Sequence, residues 1–323
     1  MADIAISNFK ELAKLGSRKI IGLGLEAAYK INQKMVFLYA DVGSRFNLEQ
    51  FKERGNLCLN VGIAEQDMIG IAAGMAHEGI VVFAASYAPF IIGRAFDQIK
   101  AAIGEMNLPI KLIGAPSGLS SGDLGNLSTC IDDIAMMRTI PNLVIVSPAD
   151  CLEAVKCIQT AAETQYPMYI RITGGKYLTP IYQEDYLFVL GKAVPLRHGE
   201  KLLVISTGAV TAQVLEAVDR LREKGKKVAV LNMHTIKPLD TQTLDSYLSF
   251  ETFVTVEEHN IYGGLGSAIA EYLAAKKNSP ILYQLGIADC YFAADHYENL
   301  LEEAGLSSDR IYQTLTDLLG DPV

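Results

Sequence analysis

The sequence predicts an α/β protein built from two doubly wound α/β domains. Three observations carry this: β-rich apolar runs alternate with amphipathic stretches along most of the 323 residues, the alternation breaks once, and then it restarts. The first block holds the runs MVFLYA (35–40), IVVFAA (80–85), PIKLIGA (109–115), LVIVS (143–147) and MYIRIT (168–173). Helical patterns lie between them at 64–77, 88–103, 128–138 and 150–163. Strands that are apolar throughout are buried on both faces, which implies a mostly parallel sheet covered by helices on each side.

The segment 174–200, rich in Gly, Pro and Tyr, interrupts this order. KLLVIST (201–207), VAVLNM (228–233), TFVTVEEH (252–259) and PILYQLG (280–286) then alternate with helical patterns near 209–223, 239–247 and 264–277. Two α/β domains joined by a linker of about 25 residues follow.

Half of the residues are hydrophobic and a fifth are charged, with a formal net charge of −9 that is dispersed along the chain. No Lys/Arg run could neutralise successive phosphates, so no nucleic-acid partner is expected. The opening MADIAISNFKELAKLGSRK lacks the apolar core of a signal peptide, and no uncharged apolar run of about 18 residues occurs later. No membrane association and a cytoplasmic location are therefore expected. Cys58, Cys130, Cys151, Cys157 and Cys290 show no CxxC spacing, and the five His residues are scattered. Buried free thiols, and no metal site made by this chain alone, are expected.

Four constellations could carry chemistry. NVGIAEQDM (60–68) places Glu65 at the head of a helix, in line with Met68, Ile69, Ala72 and Ala76 on a face that should be buried. Glu65 is either a first-turn carboxylate favoured by the helix dipole or a functional acid. SYAPFIIGRAFDQI (86–99) brings Tyr87 and Phe90 to a strand end and helix mouth, followed by Arg94. Aromatics there would suit a flat heteroaromatic ligand, or would simply be core and strand cap. SGLSSGDLGNLST (117–129) is a Gly/Ser-rich loop without the GK[ST] of a P-loop. EEHNIYGGLGSAIAEYL (257–273) ends a strand in two acids and a His and opens a helix after a Gly-rich turn, as an anion site or, preferably, a domain-packing turn.

Together with ADVG (40–43) and DDIAMMRTIPNLVIVSPAD (132–150), these segments resemble the C-terminal half of transketolases. The resemblance is closest to the small subunit of split transketolases and covers essentially the whole chain. It implies a pyrimidine-binding domain at 1–175, a linker at 176–192 and a transketolase C-terminal domain at 193–323. Thiamine diphosphate is the cofactor it implies. In that family a separate domain marked by GDG holds magnesium and diphosphate, and no GDG occurs here. The implied partner is an N-terminal transketolase subunit carrying that pyrophosphate-binding domain, around a dimer core of this chain in a heterotetramer. Glu65 matches the Glu that hydrogen-bonds the aminopyrimidine ring and activates the cofactor. Tyr87 and Phe90 match its aromatic wall, Asp41 the strand-end acid near the cofactor cleft, and Arg94 belongs to the same motif.

The resemblance also marks departures. In the Gly-rich loop Leu124 stands at the usual Asp and Ser128 at the usual His, with Asp123 next door able to compensate if the loop slips by one. Gly174 stands where a second phosphate-binding Arg is expected, whereas Arg18 has the spacing of another phosphate-contacting Arg. The implied activity is transfer of a two-carbon ketol or related acyl unit from a ketose-type donor to an aldehyde, with atypical substrate contacts. Alternatives are a decarboxylating, acyloin-forming or 1-deoxyxylulose-5-phosphate synthase-like enzyme using a 2-oxo acid, and a catalytically degenerate scaffold subunit.

Overall fold

The computed structural model describes residues 16–48, 51, 58–182 and 184–320. The first domain contributes β1 (Met35–Tyr39), β2 (Cys58–Asn60), β3 (Val81–Ser86), β4 (Ile110–Gly114), β5 (Val144–Val146) and β6 (Met168–Arg171). The second contributes β7 (Val194–Arg197), β8 (Leu202–Thr207), β9 (Ala229–Asn232), β10 (Thr235–Lys237), β11 (Thr252–Asn260) and β12 (Ile281–Ile287). The described helices of the first domain are α1 (Gly16–Ile31), α2 (Glu65–His77), α3 (Ala88–Ile99), α4 (Asp133–Arg138) and α5 (Cys151–Glu163). Those of the second are α6 (Thr211–Glu223), α7 (Thr241–Asp245), α8 (Leu265–Ala274), α9 (Tyr297–Glu303) and α10 (Ser308–Leu318).

Strand order in the first sheet is β10-β5-β6-β4-β3-β1-β2, parallel except for β10. The alternation along β1 and β3 shows why these strands are apolar throughout. Phe37, Tyr39, Phe83 and Ala85 pack with Ile20, Ile21 and Leu25 of α1 and Val155 and Ile158 of α5. Val36, Leu38, Val82 and Ala84 face the other way, onto Met68, Ile69 and Ala72 of α2 and Ile91 and Ile92 of α3. Burying one large apolar side chain contributes about 2 kcal/mol, so both faces stabilise the sheet. The second sheet, β12-β11-β8-β9-β7, is parallel except for β7 and is likewise covered on both faces.

Besides the linker, several contacts tie the domains together, among them a shared strand and a buried carboxylate. β10 leaves the second domain and pairs antiparallel with β5, Thr235 opposite Val146. Glu153 of α5 accepts hydrogen bonds from the hydroxyls of Tyr182 and Tyr186, at 2.8 and 2.7 Å, and from the Asn232 amide of β9 at 2.9 Å.

Several elements differ from the periodicity reading. The helix expected at 128–138 is confined to α4, because Gly118 and Cys130 pair as an antiparallel bridge that holds the preceding residues extended. The pattern at 88–103 is helical to Ile99 and continues as a π turn at Lys100–Glu105. The pattern at 239–247 gives only the five residues of α7. Among the thiols, Cys130, Cys151 and Cys157 are buried, Cys58 is half-buried and Cys290 is exposed, contrary to the general expectation of burial.

Candidate functional site

β2 ends at Asn60 and α2 begins at Glu65, so this short turn delivers Glu65 to the carboxyl edge of the sheet, beside β1 and β3. The five positions expected to share one face, Glu65, Met68, Ile69, Ala72 and Ala76, are the buried residues of α2. Glu65 is only 3% exposed. Its Oε1 accepts a hydrogen bond from Ser86 Oγ at 3.0 Å, and its Oε2 accepts one from the Arg94 guanidinium at 3.2 Å. Arg94 is half exposed and also lies 4.2 Å from the centroid of the Phe90 ring. The Tyr87 and Phe90 rings are parallel to within 1°, with centroids 5.9 Å apart. One carboxylate oxygen is thus fixed in the interior, and the other is held, among the described residues, only by a side chain that reaches solvent.

Asp41 stands just past β1 at the same sheet edge, with a left-handed φ of 56°. Its partner is Asn60, whose amide accepts from the Asp41 N–H and donates to Asp41 Oδ1, both at 3.0 Å.

Two clefts flank the aromatic pair. A polar cleft of about 660 Å³ is lined by Arg18, Lys19, Arg45, Lys176, Ser120, Asp123, His296 and Glu298, among others. Its four Lys and Arg side chains outnumber its two carboxylates, in a chain whose overall charge is negative. Arg18 donates to Ser121 Oγ at 3.1 Å, and the Arg18 and Arg45 guanidinium carbons both lie 5.7 Å from the Tyr87 ring centroid. The second cleft, of about 520 Å³, runs from Phe90 and Arg94 past Asn126, Leu127 and Thr129 to Asn260 and Tyr291. Of the three loop residues singled out in sequence, Asp123 lines the polar cleft and Leu124 is 57% exposed. Ser128 is half-buried, and its N–H donates to the Gly125 carbonyl. Gly174 has a φ of +103°, and a Cβ there would meet the Leu178 side chain at 2.1 Å, so a longer side chain has no place.

A buried polar cluster underlies the loop. Arg171 Nε donates to Asp133 Oδ1 and Oδ2 at 3.0 and 2.8 Å, while Ser117 and Tyr169 each donate a hydroxyl to Oδ2 at 2.6 Å. Burial pushes the Asp133 carboxyl up, and Arg171, His259, Ser117 and Tyr169 more than reverse this, leaving it below the usual range. Burial lowers His259 to about 4. The neutral ring fits its contacts, Nδ1 facing the Asn260 carbonyl at 2.7 Å and Nε2 accepting from the Ala135 N–H at 3.3 Å. Glu257 accepts from the Leu265 and Gly266 N–H groups, both at 2.7 Å, so the N-terminus of α8 is taken by this chain's own carboxylate. The turn before α8 packs on α4, where Arg138 donates to the Gly263 carbonyl at 2.9 Å. The Gly-rich turn at 261–264 thus serves domain packing.

Sequence reasoning did not single out Ser86, Arg45, Lys176 or His296. Ser86 could have been found as the polar residue ending an otherwise apolar strand. The other three come from separate segments that only the tertiary fold brings to one cleft.

The fold and site define a two-domain, doubly wound α/β protein with a buried acid beside an aromatic pair at the carboxyl edge of the first sheet. Residues 13–179 match the family model "Transketolase, pyrimidine binding domain", and residues 191–311 match "Transketolase, C-terminal domain". The chain is 36% identical to an apulose-4-phosphate transketolase subunit of Actinobacillus succinogenes over 95% of its length and 97% of that protein. It is 32% identical to a 6-deoxy-6-sulfo-D-fructose transketolase subunit of a Clostridium species over 90% of each. A solved split-gene transketolase, described as an inactive beta4 tetramer, superposes with a TM-score of 0.83 at 31% identity, covering 94% of this chain and 97% of the other. The chain belongs to the transketolase family and carries the pyrimidine-binding and C-terminal domains found in C-terminal subunits of split transketolases.

Thiamine diphosphate is the cofactor of that family, and the residues here fit its pyrimidine ring. Glu65 offers a buried carboxylate oxygen whose only donor among the described residues is a solvent-reaching guanidinium, and Phe90 offers a ring beside that guanidinium. Among the described residues, no group of three or more His, Cys, Asp or Glu is placed to hold a metal ion. Among the same residues, no helix is long and apolar enough to cross a membrane.

Proposed function

We propose that this chain is the small subunit of a thiamine-diphosphate-dependent transketolase-like enzyme. It transfers a two-carbon ketol unit from a ketose donor to an aldehyde acceptor, leaving an aldose two carbons shorter and a ketose two carbons longer. The observation that carries this reading is Glu65: a carboxylate 3% exposed, with one oxygen fixed by Ser86 and the other paired with Arg94, whose guanidinium lies over the Phe90 ring. A buried charge is costly unless partnered, and a ring nitrogen that can bear a proton is a suitable partner.

When bound, thiamine diphosphate supplies the electron sink for breaking and making the carbon–carbon bond. Glu65 would accept a hydrogen bond from the pyrimidine nitrogen and favour its protonated form. Ser86 fixes the carboxylate in one orientation. Arg94, whose side chain is half exposed, would turn toward solvent and release Oε2, while Tyr87 and Phe90 form the apolar wall. Magnesium and diphosphate are held by an N-terminal partner subunit carrying the pyrophosphate-binding domain, around a dimer core of this chain in a heterotetramer.

The polar cleft supports a donor or acceptor with an anionic end. Arg18, Arg45 and Lys176 line it together, and Asp123 offers a carboxylate to substrate hydroxyls. That carboxylate favours a polyhydroxylated donor over a 2-oxo acid, and a scaffold subunit would have no need of the buried Glu65–Ser86 pair.

The test is reconstitution of this chain with its partner subunit, thiamine diphosphate and magnesium, followed by a donor screen. Phosphorylated or sulfonated ketoses should be used, with uncharged ketoses and pyruvate turning over poorly. A complex that binds no cofactor would overturn the catalytic reading. Preference for pyruvate with release of carbon dioxide would replace ketol transfer by the decarboxylating alternative.

A further inference from the structure

The Gly-rich loop that separates the two clefts is fastened to the second domain through one carboxylate. Glu258, fully buried on β11, accepts the Leu119 N–H on Oε1 at 2.7 Å and the Tyr297 hydroxyl of α9 on Oε2 at 2.7 Å. Gly118, with a φ of +61°, lets the backbone come this close, since a Cβ there would lie 2.2 Å from Glu258 Oε1. The two stems of the loop meet at the same place, where Gly118 and Cys130 exchange backbone hydrogen bonds of 2.9 Å. Arg171 closes the arrangement by donating to the carbonyls of Cys130 and Glu258, at 3.3 and 2.7 Å. Further along, Gly122 packs under Leu300 of α9, where a Cβ would meet the Leu300 side chain at 1.9 Å. Between these fixed points the loop presents Ser120 and Asp123 to the polar cleft and Asn126, Leu127 and Thr129 to the other.

We infer that Glu258 is a positioning residue for substrate, acting from the second domain by holding loop 117–130 so that its polar side chains face the two clefts. No other side chain is hydrogen-bonded to both the loop backbone and α9 among the described residues. Burial pushes the Glu258 carboxyl up to about 7, against the pull of Arg171 and the Tyr297 and Leu119 hydrogen bonds. A buried carboxylate with two directed partners specifies one loop geometry, whereas an apolar contact would allow several.

The inference rests on the functional reading only in that the clefts receive substrate, and the test separates the two. Glu258→Gln retains an acceptor for Leu119 and a polar partner for Tyr297; Glu258→Ala removes both, and Tyr297→Phe removes one. In the chain alone, amide exchange over 118–131 should be about tenfold faster in Glu258→Ala, faster by a smaller factor in Tyr297→Phe, and unchanged in Glu258→Gln. In the reconstituted complex, donor KM should rise about tenfold in Glu258→Ala with thiamine diphosphate affinity unchanged, and Glu258→Gln should restore it. If Glu258→Ala fails to fold, Tyr297→Phe against Glu258→Gln decides. Wild-type exchange and KM in the folded Ala and Phe variants, or a Gln variant as impaired as Ala, would overturn the inference. A wild-type complex without turnover would sink the functional reading, while the exchange measurements still decide the role of Glu258.

Discussion

Ser86 Oγ donates to Glu65 Oε1 across 3.0 Å, and both residues are buried. The hydroxyl is the interior partner of that carboxylate, so it sets which oxygen is left to Arg94. Glu65→Ala should lower turnover of the reconstituted complex by about 100-fold or more with the fold intact by circular dichroism. Ser86→Ala should lower it by a smaller factor, about tenfold, because the acid remains but its orientation is no longer fixed. Equal losses for the two would mean that Ser86 does more than orient.

Arg18 and Arg45 both approach Tyr87 and line the polar cleft. Arg18→Ala and Arg45→Ala should each raise KM for an anionic substrate by about tenfold, with little change for an uncharged analogue. Steady-state kinetics on a matched pair of phosphorylated and unphosphorylated sugars reads this directly. A uniform loss on both sugars would assign these residues to packing instead.

Arg171 and Asp133 form an ion pair with neither side chain exposed. Arg171→Met would leave the Asp133 carboxylate buried without its cationic partner, held by the Ser117 and Tyr169 hydroxyls, and should destabilise the chain by about 3–5 kcal/mol. Replacing both partners, as Arg171→Met with Asp133→Leu, should recover part of that loss. Denaturant midpoints of the two variants against wild type provide the comparison.

Burial raises the Glu257 and Glu258 carboxyls from their ordinary value to about 7. A carboxyl whose value is higher folded than unfolded imposes no penalty below pH 4.5, an increasing one from there to pH 7, and its full penalty above. Glu258→Gln, which cannot ionise, should therefore gain stability relative to wild type as pH rises from 5 to 8, by a margin on the order of 3 kcal/mol. Thermal melts across that range should show the two curves diverging on the alkaline side; parallel curves would contradict the raised value.

The two-domain α/β plan was legible in the sequence because strands buried on both faces are apolar without interruption, as in 35–40 and 80–85. The face containing Glu65 was legible from helical spacing, since burial of α2 follows its apolar residues. The less apolar elements escaped notice. β7 has only half-buried or exposed residues, and β10 is three residues long and belongs to a sheet whose other strands lie in the first domain. Helix α4 is shorter than its pattern because a bridge from Cys130 to Gly118, at the other stem of the loop, holds its approach extended, which helical periodicity does not register. The cationic lining of the polar cleft was hidden for the same reason: Arg45, Lys176 and His296 share no spacing, only a location.

The exchange of β10 between domains has a practical consequence for dissecting this protein. A fragment ending in the linker would leave β5 with an uncovered edge at Ile145 and Val146, because the pairing of Thr235 and Lys237 would be gone. Unpaired apolar edges recruit other chains, so the first domain expressed by itself should aggregate. The second, cut away, would carry a stranded Thr235–Lys237 segment with nothing to pair. A chain nicked within the linker, by contrast, should still purify as a single particle.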